Sequence, residues 1–502
     1  MTKALTEDPS SSSATGSPAP GAPNGAPSPT ASTGVVRAAT GAGAMTMVAL
    51  CFANGLQGGG AQTFAQSIDS IKHAFHVSDF AIGVIPACVG IAGNVGAVPI
   101  AHFCGRYRRT RVLAVMFVIW GLLFAGAGLV PDFGLAGFAG GGFVLFGILR
   151  VASSGLEATD PASLPLIADW WPVHSRARQI SIFNAGAGIG AFGGIILGGV
   201  IVDDLGWRWA FLAWLPLALW GAALIRRRVE PRRGGMDAAY ANELEEATAG
   251  AEHDEVVHLI EEPEPTEVAV VAEPGRRWVV VRRLAALRSW RLVAVGLALT
   301  GLMGNGVGAW GLTYFKRTFH LSSVKAGALT PALGAGSFLG VLAGGFLADW
   351  LIRKGVLRAR LIITVLGFGL GGLVYLAAFT TDRLALAAPL LSIASALAAI
   401  PTGPQYAAMM DVTPSALRSQ AAAAFNVLAA CGAAGALLVG GLSSVIGNLR
   451  LALLCVSPFY LLGAVLILAA APTYVADVAK VVADARSGSR SDLAAGGASA
   501  GP

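Results

Sequence analysis

The sequence predicts an all-α polytopic membrane protein with twelve transmembrane helices in two pseudo-symmetric six-helix halves. Three observations carry that prediction. The 502 residues are 55% hydrophobic, with a mean hydropathy of +0.65. Only 13% are charged, about half the share of an average soluble domain. Apolar runs near the ~20 residues needed to cross a bilayer recur along the chain. Backbone polar groups cannot go unpaired in lipid, so runs of that length must be helical. The alternating pattern of a membrane barrel is absent.

Taken in order, residues 1–37 are rich in Ser, Pro, Ala, Gly and Thr and are expected to be a disordered tail. They do not read as a cleaved signal, because no charged region leads directly into an apolar stretch. The first half (38–225) should hold spans at 44–68, 80–103, 111–130, 135–168, 177–202 and 207–225. Residues 226–289 then change character, running from basic through acidic (Glu243 to Glu264) and back to basic. That pattern predicts a flexible linker, with 278–290 as an amphipathic helix along the lipid headgroups. The second half (290–474) should hold spans at 290–315, 324–351, 361–379, 386–412, 416–446 and 449–471, followed by a disordered tail from 475 to 502.

A formal charge of +6 and a pI near 9.2 would suit a nucleic-acid binder. The basic residues instead fall in short clusters between spans, where they set orientation. Arg106, Arg108, Arg109, Arg111, Arg176, Arg178, Arg353, Lys354, Arg358, Arg360 and Arg418 share one side with the linker. That richer side is expected to be cytoplasmic, in a cell membrane, with both termini inside. The five cysteines form no CxxC pair, so no metal or disulfide framework is expected, and no cofactor.

Charged groups inside a span are costly and usually have a job. The fourth span carries Arg150, Glu157 and Asp160. Seven residues of continuous helix put Arg150 and Glu157 on one face about 10 Å apart along the axis. They are then too far apart to touch, but both can face one central cavity. Asp160, beside Pro161 and Pro165, sits where the helix could break. Two readings stand: a substrate-headgroup or proton site, or a structural pair holding the bundle. The amides Asn54, Gln57, Asn94, Asn305, Gln405 and Asn426, with Tyr406, are either cavity contacts or interhelical glue. Trp310 and Tyr314 either shape the pocket or belong to an interfacial belt. The glycines at 186, 188, 190, 193, 194, 198 and 199 read as close helix packing, not as a nucleotide loop, since no βαβ context surrounds them.

Two loops occupy the same place in each half. The first reads Gly105-Arg106-Tyr107-Arg108-Arg109-Thr110-Arg111. The second reads Gly344-Gly345-Phe346-Leu347-Ala348-Asp349-Trp350-Leu351-Ile352-Arg353-Lys354. The pair resembles the signature loop of the major facilitator superfamily. The resemblance implies gating roles for Arg106, Arg109, Asp349 and Arg353. His102 stands where the family has an acid, so its latch would be weaker or pH-dependent. Arg150 through Glu157-Ala158 and Pro165-Leu166-Ile167-Ala168-Asp169 resembles the spinster-like branch. So do Trp310 to Phe315 with His320-Leu321-Ser322, and Gly403-Pro404 through Pro414 and Arg418. The branch's first-span Asp-Arg pair is absent, with Asn54 at that point.

The resemblance implies alternating access by a monomeric, proton-coupled secondary transporter, with protons and an amphiphile such as a lysophospholipid as its partners beside the membrane lipids. A proton-linked organic anion or sugar-acid symporter and a multidrug exporter remain as alternatives, and a membrane sensor on a transporter scaffold is the non-transport reading. No HExxH, GxSxG or Ser/His/Asp constellation points to an enzyme.

Overall fold

The computed structural model describes residues 29–77, 79–132, 141–240, 287–321, 325, 329–432 and 434–483. The acidic stretch of the linker, the expected amphipathic segment up to 286 and the outer parts of both tails lie outside that set. Among the described residues there are helices and turns but no strands. Ten helices are long and apolar enough to cross a membrane. The first span, within Pro29–Phe75, and the fourth, split into Gly141–Ser154 and Asp160–Trp170, complete the twelve. Residues 43–502 form one unit.

Two boundaries differ from expectation. The first helix already begins at Pro29. At the other end, the helix continues to residue 483, with Val481 and Val482 buried where a disordered tail was expected from 475.

Large apolar side chains face outward along the spans, as at Leu437 (79% exposed) and Val445 (86%). Lipid is as apolar as leucine, so the spans associate by close packing of small residues and by polar contacts. The fifth span, Arg176–Asp204, shows this. Its Gly186, Gly190 and Gly194 lie directly on the backbone of the first span at Cys51, Gly55 and Gly59. A Cβ on Gly190 would overlap the Gly55 backbone. The second half repeats the device: Gly435 of the eleventh span lies on the backbone of Leu302 in the seventh.

The halves meet along their second, fifth, eighth and eleventh spans, and the ion pairs between them gather at one end of the bundle. Ala97–Arg106 and Asp160–Trp170 of the first half pack on Arg418–Gly432, and the fifth span packs on Thr330–Arg353 and Thr402–Asp411. Their continuations, Leu384–Ala399 and Ala434–Ile446, pack within the second half. The joined end carries the Arg-rich loops and forms a basic face.

Candidate functional site: a mid-span ion pair and an interlocked charge network

The fourth span breaks because Gly155 to Thr159 leave the helix. The amides of Leu156 and Glu157 reach back only three residues, to the Ser153 and Ser154 carbonyls, at 3.0 and 2.9 Å. A new helix starts at Asp160, with proline in its first turn. This tightening folds Glu157 back over the preceding helix. Arg150 Nη1 donates to Glu157 Oε1 at 3.1 Å and to Ser153 Oγ at 3.2 Å. The two charges therefore do touch. The sequence estimate assumed an unbroken helix, and the break removes that separation.

Trp120 Nε1 donates to the same Glu157 oxygen at 3.1 Å. The Arg150 guanidinium lies 5.1 Å from the Phe124 ring centroid and 5.8 Å from that of Phe64. Arg150 is 2% exposed and the Glu157 side chain 18%. The base is thus sealed behind aromatic rings, while the acid keeps an open edge. Asp160 lies within hydrogen-bonding reach of Asn426 in the eleventh span, and Tyr406, close to Asp160, packs against Phe425 at 5.1 Å.

The predicted amides divide into two groups. Asn54 donates to the Phe183 carbonyl at 2.9 Å and Trp310 to the Ala436 carbonyl at 2.8 Å, each tying two spans together. Asn94 and Asn305 donate to the carbonyls four residues back in their own helices. Tyr314 is fully buried. These groups hold the bundle. Gln57 Nε2 and Gln405 Oε1, by contrast, are buried with no hydrogen-bond partner, which leaves them free for a ligand.

The second assembly sits at the basic face. Arg109 Nη2 pairs with Asp169 at 2.6 Å, and Asp169 also reaches Arg418 of the other half at 3.4 Å. The second half answers with the same arrangement. Arg360 pairs with Asp411, and Asp411 also holds Arg176 of the first half at 2.7 Å. Each acid thus binds one base from its own half and one from the opposite half.

The start of the linker closes the assembly. Gly234 adopts φ +70°, a left-handed conformation that suits glycine. Its N–H donates to Asp169 Oδ1 at 2.9 Å. The turn sets Asp237 between Arg176 (2.9 Å) and Arg418 (2.7 Å). Burial alone would raise the Asp237 carboxyl, but Arg418 and Arg176 outweigh it and hold the group below the usual carboxylate range. Glu230 accepts from Arg109 and Thr110, and Tyr474 donates to Asp411 at 3.2 Å.

Of the residues predicted to gate, Arg109 and Asp349 belong here. Asp349 is buried and accepts from the Ala177 and Arg178 amides at 3.3 and 2.7 Å. It therefore caps the start of the opposite half's fifth span, where a carboxylate complements the helix dipole. Arg106 and Arg353 are exposed. His102 is half-buried beside Phe103, and among the described residues it joins no ion pair.

Sequence reasoning took Arg176, Arg360 and Arg418 as orientation charges and passed over Glu230, Asp237 and Asp411. A signal was available: Asp169-Trp-Trp-Pro172-Val-His-Ser-Arg176 and Asp411-Val-Thr-Pro414-Ser-Ala-Leu-Arg418 share the spacing D-x-x-P-x-x-x-R, each after the fourth span of its half.

The profile described as Major Facilitator Superfamily matches residues 50–434. The chain belongs to this superfamily. It is thus a multi-pass membrane protein of a transporter superfamily, which is not an enzyme family. The Cis,cis-muconate transport protein of Acinetobacter baylyi is 27% identical over 146 residues, covering 29% of this chain and 33% of that protein. Protein spinster homolog 1 of Homo sapiens is 25% identical over 297 residues, covering 58% of this chain and 49% of that protein. The matches thus span between a third and a half of these relatives. The proton:xylose symporter XylE bound to 6-bromo-6-deoxy-D-glucose superposes with a TM-score of 0.63 at 18% identity, covering 85% of this chain and 95% of that one. This likeness shows the fold.

Proposed function

We propose that this major facilitator couples proton movement to transport of an amphiphile with an anionic head, of the lysophospholipid type. The Arg150–Glu157 pair is the observation that carries the reading. While Glu157 is ionised it neutralises Arg150 at 3.1 Å. Protonating Glu157 removes that partner and leaves a guanidinium uncompensated among Phe64, Phe124 and Trp120. A buried unpaired charge is strongly unfavourable, so the site then draws an anionic group. Proton and anion enter together, and the pair re-forms when both leave. Gln57 Nε2 and Gln405 Oε1 supply polar contacts, one from each half. In this reading the basic face is cytoplasmic, the termini lie inside a cell membrane, and the monomer transports. The joined basic face then corresponds to an outward-facing state, and the gate must part for the halves to rock.

The test is uptake into proteoliposomes with and without an inwardly directed proton gradient (acid outside), for native protein and Glu157→Gln. The variant should still exchange substrate but lose gradient-driven accumulation. Equal gradient dependence in both proteins rejects Glu157 as the coupling group. A second reading takes a small organic anion as cargo. It is supported by the likeness to the muconate transport protein and by the modest polar set around one arginine. Thermal shift with lysophosphatidylglycerol against cis,cis-muconate separates the two readings.

A further inference from the structure

We propose that a cleft on the basic face, between the ends of the second, third and sixth spans, binds the phosphate headgroup of an anionic phospholipid. The cleft measures about 600 Å³ and is lined by Arg106, Tyr107, Arg108, Arg228, Glu230 and Arg233, among others. It lies apart from the mid-span pair.

Its charge balance is the first argument. The single carboxylate in the lining, Glu230, is already engaged: Oε1 accepts from the Arg109 amide and Nε, and Oε2 from Thr110. Arg228 and Arg233 are steered into the cleft by uncharged partners. Arg228 Nε donates to the Leu224 carbonyl at 2.9 Å, and Arg233 Nη2 donates to the Cys104 carbonyl at 2.7 Å. Backbone carbonyls hold a guanidinium in place but leave its charge unbalanced. Arg106 and Arg108 are exposed, with no carboxylate in salt-bridge range among the described residues. Four arginines thus converge with their charge unmet, and guanidinium forks match phosphate oxygens in pairs.

The rim is the second argument, and it selects lipid over a free anion. Phe103, Tyr107 and Val229 are 50%, 54% and 65% exposed beside the cleft. They sit where the second span ends at Arg106 and the sixth at Arg226, the level at which headgroups meet acyl chains. A soluble phosphate has no use for that apolar rim, whereas a glycerolipid covers it with its upper chains. Basic pockets at the ends of membrane helices recognise headgroups in this way. Occupancy also reaches the gate. A phosphate that balances Arg228 and Arg233 holds the segment that delivers Glu230 to Arg109 and Asp237 to Arg176 and Arg418.

The experiment uses the full-length protein in neutral detergent, titrated with phosphatidylglycerol, phosphatidylcholine or inorganic phosphate, and reads melting temperature and lipid adducts by native mass spectrometry. Phosphatidylglycerol should bind and raise the melting temperature; phosphatidylcholine and phosphate should not. Arg106→Ala/Arg108→Ala/Arg228→Ala should weaken phosphatidylglycerol binding about ten-fold or more. Arg226→Ala/Arg227→Ala, which removes neighbouring exposed charges outside the lining, should leave it unchanged. Equal weakening in both variants overturns the proposal in favour of diffuse surface charge. Phosphate that binds and displaces the lipid overturns it in favour of a soluble-anion site. If the triple variant does not fold, Arg108→Gln replaces it, with at least a two-fold weakening expected and no change counting against the site.

Discussion

Replacing Arg176 with alanine should unlock the basic face. The side chain is fully buried and bonds to Asp411 at 2.7 Å, Asp237 at 2.9 Å and the Ala168 carbonyl at 2.9 Å. Removing one partner of a buried pair costs about 3–5 kcal/mol, because the remaining charge stays buried without compensation. Here Asp411 keeps Arg360 and Tyr474, and Asp237 keeps Arg418. The loss therefore falls at the lower end, about 3 kcal/mol. Once the halves part, water solvates these groups, so the penalty falls on the closed state. At 1.36 kcal/mol per decade, that shifts the closed-to-open ratio roughly 150-fold. Spin labels at Arg111 and Arg358, exposed positions on opposite halves, report the change by double electron–electron resonance in a cysteine-free background. Native protein should give one short distance, and Arg176→Ala should add a longer one. Arg176→Lys, which keeps the positive charge between Asp411 and Asp237, should recover part of the short population. A well-folded Arg176→Ala protein with an unchanged distance distribution would refute the assignment of this pair as a latch.

Two further outcomes follow from the same structure. Asp237 is held below its unfolded value of about 3.9, so its contribution is complete at neutral pH and fades as pH falls through the lower folded value. The melting-temperature difference between native protein and Asp237→Asn should therefore be largest above about pH 5 and shrink on acidification. A difference that grows in acid contradicts the assignment. Gly190→Leu should push the first and fifth spans apart and cost roughly 1–3 kcal/mol, read as a lower melting temperature. Gly199→Leu, where nothing lies within 4 Å, should be neutral in the same assay.

Much of the fold was legible because lipid leaves few choices. A run of apolar residues long enough to span must be helical, so twelve runs gave twelve spans. The loop around Asp349 stood out by its spacing, and the structure places that carboxylate against the Ala177 and Arg178 amides of the other half. The fourth span was harder to read. Helical arithmetic separates Arg150 from Glu157, and only the turn at Gly155 to Thr159 reverses that result. The amides show a second limit: Asn54 and Gln57 lie three residues apart in one helix, yet one finds a carbonyl across the interface and the other does not. Which carbonyl faces which amide depends on helix rotation, and a single sequence does not fix that. The crossed pairs at the basic face were missed for a different reason. Arginines in short loops serve orientation so often that the repeated Asp-to-Arg spacing behind them went uncounted.

The crossed arrangement also bears on how such a molecule could arise. Each half presents both a hook and an eye, Asp169 with Arg176 and Asp411 with Arg418, and each fastens to its counterpart in the other. Two identical copies of one half could fasten in the same way about a twofold axis. A clasp of this kind is ready at the moment of gene duplication, before the two copies have diverged, and its sealing needs no new residue on either side.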